Sequence, residues 1–452
     1  MSPTRLSIFL CLGVFALAHS GVATAGKPSE EPFFPRAGND GYDAIEYEVN
    51  LAYKPKGGRI KASTEISSVA TINLRRFSLD FFGPRVSEVT VNGEPAQFRR
   101  RLGKLTVVPA EPIERGVEFT SLVRYSGMPP KITDPDGTAE GWYRTDDGVI
   151  AVGEPQGTAA WIPCNNVPGD KARFEFLVTV PDDLRAVANG LQLRSQNQGP
   201  AVTFHWIERS PMSTYLAVLD IGRGRLVKSQ IGDLPAWTLV DPRLERRSRR
   251  ALAQLPEIIR FQSRLFGTYP FEAAGSIVDY APELGYALEA QSRPIYTEAP
   301  VRTLLVHETA HQWFGDSVGL RRWPEIWLNE GFATWTEWYY AERHGGRSAA
   351  QIFRRLYRVP ASNQQFWNPP SGRPGTPKHL FSPSVYIRGA MALQALRTKI
   401  GTAPMLRVLR RWAIGNRHGS GTIGGFVDLA EEISGEQLDG LFRRWLYQRG
   451  KP

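Results

Sequence analysis

Two histidines four residues apart flank a glutamate in the run His307-Glu308-Thr309-Ala310-His311. On a helix, residues at this spacing share a face with Cβ atoms roughly 5–6 Å apart, so two imidazoles reach one ion from a single turn. Neutral imidazole suits zinc, and a helical backbone keeps the ligands from collapsing together. Chance supplies such a run in about one chain of this size in two hundred. A third donor adds weight: Glu330 follows His311 with 18 residues between them. Two imidazoles and one carboxylate leave a position open for water, which favours a catalytic over a structural zinc site. With one anionic ligand the ion stays positive and lowers the pKa of a water to about 7. Glu308 points about 100° round the helix from His307, toward that open side, where it serves as general base. Glu337, two turns beyond Glu330, either orients a ligand imidazole or forms a surface salt bridge.

The flanking pattern supplies the elements that hold these side chains. Pro300 suits the first turn of a helix that Gly315 ends, and Pro324 opens a second helix running to about His344, stopped by Gly345-Gly346. An antiparallel return of that second helix brings Glu330 toward the ion. Upstream, Pro242 to Phe266 reads as one long helix with Asp241 as its N-cap. Gly275 to Asp279 reads as a short strand, followed by an extended piece through Tyr296. From about Asp43 to Arg225 the period is two, as in Ala44–Leu51, Arg173–Val180 and Ala201–Trp206, with Gly and Pro turns between the runs. Strands first and helices later predict an α+β chain: an antiparallel β domain of sandwich or saddle type over 26–228, and a mixed, mostly helical domain over 229–452.

Length and composition agree with two such domains. The 452 residues are 42% apolar and 22% charged, with 12 Trp, 15 Tyr and 22 Phe to fill cores. Residues 1–25 read as a signal peptide: Arg5, the apolar run Leu6 to Ala18, then Ala23-Thr24-Ala25 as cleavage site. A secreted or periplasmic protein is expected, without a stable membrane anchor after cleavage. Of two cysteines only Cys164 remains in the mature chain, so no intrachain disulfide forms. The net charge of +10 falls to +9 without Arg5. Basic residues are scattered, as in Arg99-Arg100-Arg101 and Arg410-Arg411, and no nucleic-acid module is recognisable. The charge supports solubility and weak polyanion attraction, not specific nucleic-acid binding. Oligomeric state is not encoded in any visible motif.

Several stretches around these residues resemble the M1 family of zinc aminopeptidases, the gluzincin type with H-E-x-x-H, 18 residues, then Glu. They are His311-Gln-Trp-Phe-Gly-Asp, Trp327-Leu-Asn-Glu-Gly-Phe-Ala, Val385-Tyr386-Ile-Arg-Gly-Ala and Trp161-Ile-Pro-Cys-Asn-Asn-Val-Pro-Gly-Asp-Lys-Ala. Arg388 stands where that family carries Lys. The resemblance implies a thermolysin-like catalytic domain, one Zn2+ ion, peptide substrates, and an oxyanion-stabilising hydroxyl on Tyr386. By residue type alone Tyr386 would be a packed aromatic. The resemblance also implies that acidic residues bind a free N-terminal amine. The family's G-x-M-E-N motif is similar to Tyr286-Ala287-Leu288-Glu289-Ala290, which keeps Glu289 but replaces the Gly, Met and Asn. A second acidic position falls on Glu154. Two carboxylates around one ammonium would place the scissile bond one residue from the chain end. Larger family members carry a further helical C-terminal domain, and a short form ending at Pro452 would have a more open cleft. The rivals to aminopeptidase action are a zinc endopeptidase with an open cleft and a catalytically inactive binding protein of the same family.

Overall fold

The computed structural model describes residues 31–452; the expected signal peptide over 1–25 lies outside the described residues. The alternating pattern of the first half builds an eight-stranded sheet. Its order is Leu191–Asn197, Ala201–Ser213, Lys171–Pro181, Tyr42–Lys54, Arg59–Ala70, Glu118–Gly127, Arg85–Val91, Glu94–Pro95. Period-two burial puts Ala172, Phe174, Phe176, Val178 and Val180 on one face of Lys171–Pro181, where Phe174 and Phe176 stack with Tyr47 and Trp161. A five-stranded sheet that includes Val149–Val152 and Leu219–Gly222, and a three-stranded one, complete this half. One junction departs from the antiparallel expectation: Tyr42–Lys54 and Lys171–Pro181 run parallel, Glu46 opposite Arg173. More than a hundred residues separate those strands, so no hairpin turn constrains their direction.

A second five-stranded sheet follows, ordered Arg225–Ile231, Leu234–Val240, Ala274–Val278, Ile295–Tyr296, Ala287–Leu288. Arg225–Ile231 runs through position 228 and pairs only with Leu234–Val240, so this hairpin belongs with the later sheet. Ala274–Val278 is buried at all five positions, as expected for a parallel strand covered on both faces. Arg293, fully buried, ties this sheet to the first half by donating to the carbonyls of Trp237, Ala274 and Gly190.

The helix expected from Pro242 to Phe266 is two helices, Glu245–Leu252 and Leu255–Phe266. Pro256 explains the break, because within a continuous helix it offers no N–H and its ring clashes with the preceding turn. Asp241 caps neither helix; its carboxylate accepts from the Arg243 backbone N–H and guanidinium, both at 2.6 Å. Pro300 precedes the next helix, which begins at Arg302 and ends at His311. A 3-10 turn, Trp323–Glu325, leads into the helix Trp327–Arg343. The helix Pro383–Ile400 crosses it closely: a Cβ built on Gly389 would lie 3.0 Å from the Gly331 Cα and 2.4 Å from the Trp327 indole. Arg388 spends its donors on five carbonyls, of Trp445, Trp367, Gly450, Arg444 and Gln448. A lysine, with three donors on a point charge, could not bind this set. None of the helices among the described residues is long and apolar enough to cross a membrane.

Candidate metal centre

The helix Arg302–His311 carries His307 and His311 on its buried side, and their ring centroids are 4.7 Å apart. The helix Trp327–Arg343 returns alongside it and brings one oxygen of Glu330 between them. Glu330 Oε2 lies 3.3 Å from His307 Nε2 and 3.5 Å from His311 Nε2. Both Nδ1 atoms face acceptors on the far side of the rings. His307 Nδ1 is 2.6 Å from Glu337 Oε1, and His311 Nδ1 is 3.0 Å from the Phe314 carbonyl oxygen. A ring that donates from Nδ1 presents its Nε2 lone pair inward, which is how metal-ligating histidines are held. Glu337 thus faces the His307 ring, and its surface salt-bridge alternative does not describe what it touches.

The loop after His311 must approach closely to supply the Phe314 carbonyl. Gly315 makes this possible with φ of +134°, and an added Cβ would sit 3.3 Å from His311 Nδ1 and 3.2 Å from Asn329 Nδ2. Glu308 lies on the same helix, buried, with a carboxylate oxygen within 4.8 Å of donor atoms of His311 and Glu289. Oxygens of Glu154, Glu289 and Glu330 lie within 4.8 Å of one another. Glu154 Oε1 and Glu289 Oε1 are buried and accept no hydrogen bond from the described residues. Tyr386 stacks at 6.0 Å on the His307 ring from the helix Pro383–Ile400. All seven residues expected at the site therefore converge.

Sequence reasoning did not find Glu140, which the structure sets beneath Glu154. Its buried carboxylate accepts from the Gln156 and Gly157 backbone N–H groups, fixing the turn that follows Glu154. Gly157 leaves room for it, since an added Cβ would fall 2.9 Å from Glu140 Oε2 and 2.2 Å from the Val152 carbonyl. No motif signals such a contact; only the close glycine hints at it. Tyr286, which replaces a family glycine, donates from its hydroxyl to the Ala139 carbonyl at 2.6 Å.

The electrostatics call for a cation among these groups. Burial pushes Glu154 well above the carboxylate range, and the neighbouring charge of Glu289 pushes it further. Glu289 is raised by burial, against the opposing pull of His311. Glu308 is raised to about 7 by burial, with both imidazoles pulling the other way. Glu330 is held down to about 2: burial works to raise it, but the two imidazoles outweigh burial. Burial lowers His311, yet Glu330 and Glu289 raise it to about 9. Among the described residues, the imidazoles are the charged groups that pull Glu289, Glu308 and Glu330 down. Two inward Nε2 atoms, one shared carboxylate and a surplus of buried acid form a donor set that suits a divalent ion such as zinc.

Two family models match the chain: the Peptidase M1 N-terminal domain over residues 43–216 and the Peptidase family M1 domain over residues 282–445. The chain belongs to the M1 peptidase family. It is similar to leucyl aminopeptidase of Saccharolobus solfataricus, 24% identical across 90% of this chain and 53% of that protein. It is also similar to aminopeptidase N of Canis lupus familiaris, 27% identical across 89% of this chain and 47% of the relative. The chain spans about half the length of these curated relatives. A solved M1 zinc metallopeptidase from Deinococcus radiodurans superposes with a TM-score of 0.85 at 28% identity, covering 94% of this chain and 97% of the other. A mutant of that protein, bound to a Tyr-Ser-Ala substrate, superposes with a TM-score of 0.84.

Proposed function

We propose that this chain is a zinc-dependent aminopeptidase that hydrolyses the N-terminal peptide bond of peptides, with one zinc ion held by His307, His311 and Glu330. The observation that carries the reading is the pair of buried, unpartnered carboxylate oxygens, on Glu154 and Glu289, beside two imidazoles that converge on one Glu330 oxygen. Zinc in such a site acidifies a water and polarises a carbonyl. Glu308 takes the proton of the attacking water and later delivers it to the leaving amine; its burial, which pushes its carboxyl up, favours a group that can hold that proton between the two steps. Tyr386 is pushed well above the ordinary phenol range by burial and by four surrounding carboxylates, Glu330 first. Its hydroxyl therefore keeps its proton and can donate to a developing oxyanion. Glu154 and Glu289 accept the N–H groups of the substrate's terminal ammonium, which fixes the first peptide bond at the metal. The Tyr-Ser-Ala substrate of the Deinococcus protein, a short peptide, is of the class this site would take.

The test is hydrolysis of aminoacyl-arylamides by the purified protein, with and without chelator, alongside elemental analysis. Chelator-sensitive turnover with one zinc per chain is expected, and N-acetylated substrates should resist. Equal cleavage of acetylated peptides would replace the reading with an endopeptidase, and absence of zinc would remove it. Export to a periplasm or outside the cell is proposed on residues 1–25; a mature N-terminus at Gly26 by N-terminal sequencing is the expected result.

A further inference from the structure

Glu289 Oε1 has no hydrogen-bond donor among the described residues, so the position of the backbone that carries it weighs heavily in where it sits beside the metal ligands. That backbone is weakly held by its own strand: Ala287–Leu288 pairs with Ile295–Tyr296 over only two residues. The stronger restraint comes from Gln312, the residue that follows His311. Gln312 is buried at 1% exposure, and its carboxamide spans from the metal helix to the Glu289 segment. Nε2 donates to the Glu289 carbonyl at 2.9 Å, while Oε1 accepts from the Ser292 backbone N–H at 2.7 Å and from the Tyr269 hydroxyl at 3.1 Å. Ser292 adopts φ of +62°, which a residue with a side chain keeps only when its surroundings hold it there. Its hydroxyl accepts from the Gly190 N–H at 2.8 Å, and the adjoining Gln291 carbonyl accepts from Asn189 at 2.8 Å. The turn after Glu289 is therefore pinned on one side to the first half of the chain and on the other to Gln312.

We propose that Gln312 is a positioning residue that fixes the spacing between the metal ligands and the amine acceptor, and so decides that the bond cut is one residue from a free N-terminus. The inference rests on the aminopeptidase reading above. His311 and Gln312 are consecutive residues at the end of one helical turn, so the ligand nitrogen and the carboxamide share a rigid frame. Loss of the carboxamide frees Glu289 to move relative to that frame. An ammonium contact made equally in ground and transition states shows in KM and not in kcat.

The experiment compares zinc-loaded wild type with Gln312→Met, which matches the length without polar atoms, and Gln312→Asn, which retracts the carboxamide with little risk to folding. Tyr269→Phe removes one bond to Oε1 but none to the Glu289 segment. Steady-state kinetics use an aminoacyl-arylamide and its N-acetylated counterpart, and elemental analysis reports zinc. Expected is a rise in KM for the free-amine substrate of about tenfold or more, kcat within about threefold, full zinc, and a reduced preference for free over acetylated substrate. Tyr269→Phe should stay near wild type. Unchanged KM and preference in folded, zinc-loaded Gln312→Asn would overturn the inference. So would a fall in kcat at constant KM, or an equal KM rise in Tyr269→Phe, which would signal general packing. If wild type itself shows no preference for the free amine, the aminopeptidase reading fails first and the inference with it.

Discussion

Replacing Glu337 by Gln isolates one interaction of the proposed metal centre. The carboxylate lies 2.6 Å from His307 Nδ1, and its side chain is 20% exposed. Glutamine keeps the length and an acceptor oxygen but removes the charge. A hydrogen bond to a charged group contributes about 1.5–3 kcal/mol net and a neutral one about 0.5–1.5, so the loss is about 1–1.5 kcal/mol. At 1.4 kcal/mol per tenfold, zinc binding should weaken roughly five- to tenfold. The chain should still fold, because His307 keeps an acceptor. The assay is competition for zinc with a chromogenic chelator at fixed pH, checked by circular dichroism. A change in zinc Kd below twofold would refute the orienting role. A loss beyond about a hundredfold exceeds what an outer partner contributes and would make Glu337 a direct ligand instead.

Glu308→Ala should retain zinc by elemental analysis yet lose turnover by about 10²–10⁴-fold, the usual contribution of a general base; retained activity would exclude Glu308 from that role. Tyr386→Phe should lower kcat by about 10²–10³-fold with an unchanged thermal midpoint, since the loss is that of one oxyanion donor. Gly315→Ala should cost about 1–3 kcal/mol in urea unfolding, because φ of +134° suits glycine alone and the new Cβ presses on His311 and Asn329. In the metal-free protein His311 titrates at about 9, raised from 6.5. Its stabilising contribution is therefore complete below pH 6.5 and lost as pH rises through 9. Zinc must displace the protons of both ligand imidazoles, since His307 too is raised well above its ordinary value, Glu330 and Glu337 outweighing burial. Apparent zinc affinity should therefore climb with pH up to and through about 9, measured by calorimetry in buffers of different ionisation enthalpy.

The first set of site residues was legible because its grammar is local. His307, Glu308 and His311 lie within one helical turn, and the 3.6-residue period alone places both imidazoles on one face. Glu330 was legible by its distance from His311, and the β half by strict alternation, since a period of two survives any tertiary arrangement. Tyr386, Glu154 and Glu289 are separated by up to 232 residues in sequence, and only family resemblance singled them out. What tertiary structure alone decided is what crosses between elements. Glu337 could face solvent or a histidine until the two helices were packed. The Phe314 carbonyl became a partner of His311 only because Gly315 turns the loop back. Glu140 under the Glu154 turn, Gln312 reaching Glu289, and the parallel junction of the large sheet leave no periodic trace. The break at Pro256 is the exception: the proline is a local signal that prevails in the structure, although the longer helical pattern around it masks it in the sequence. Local geometry repeats along a chain and can be read from it; a contact between distant segments depends on how whole elements pack, and a single sequence carries no period for that.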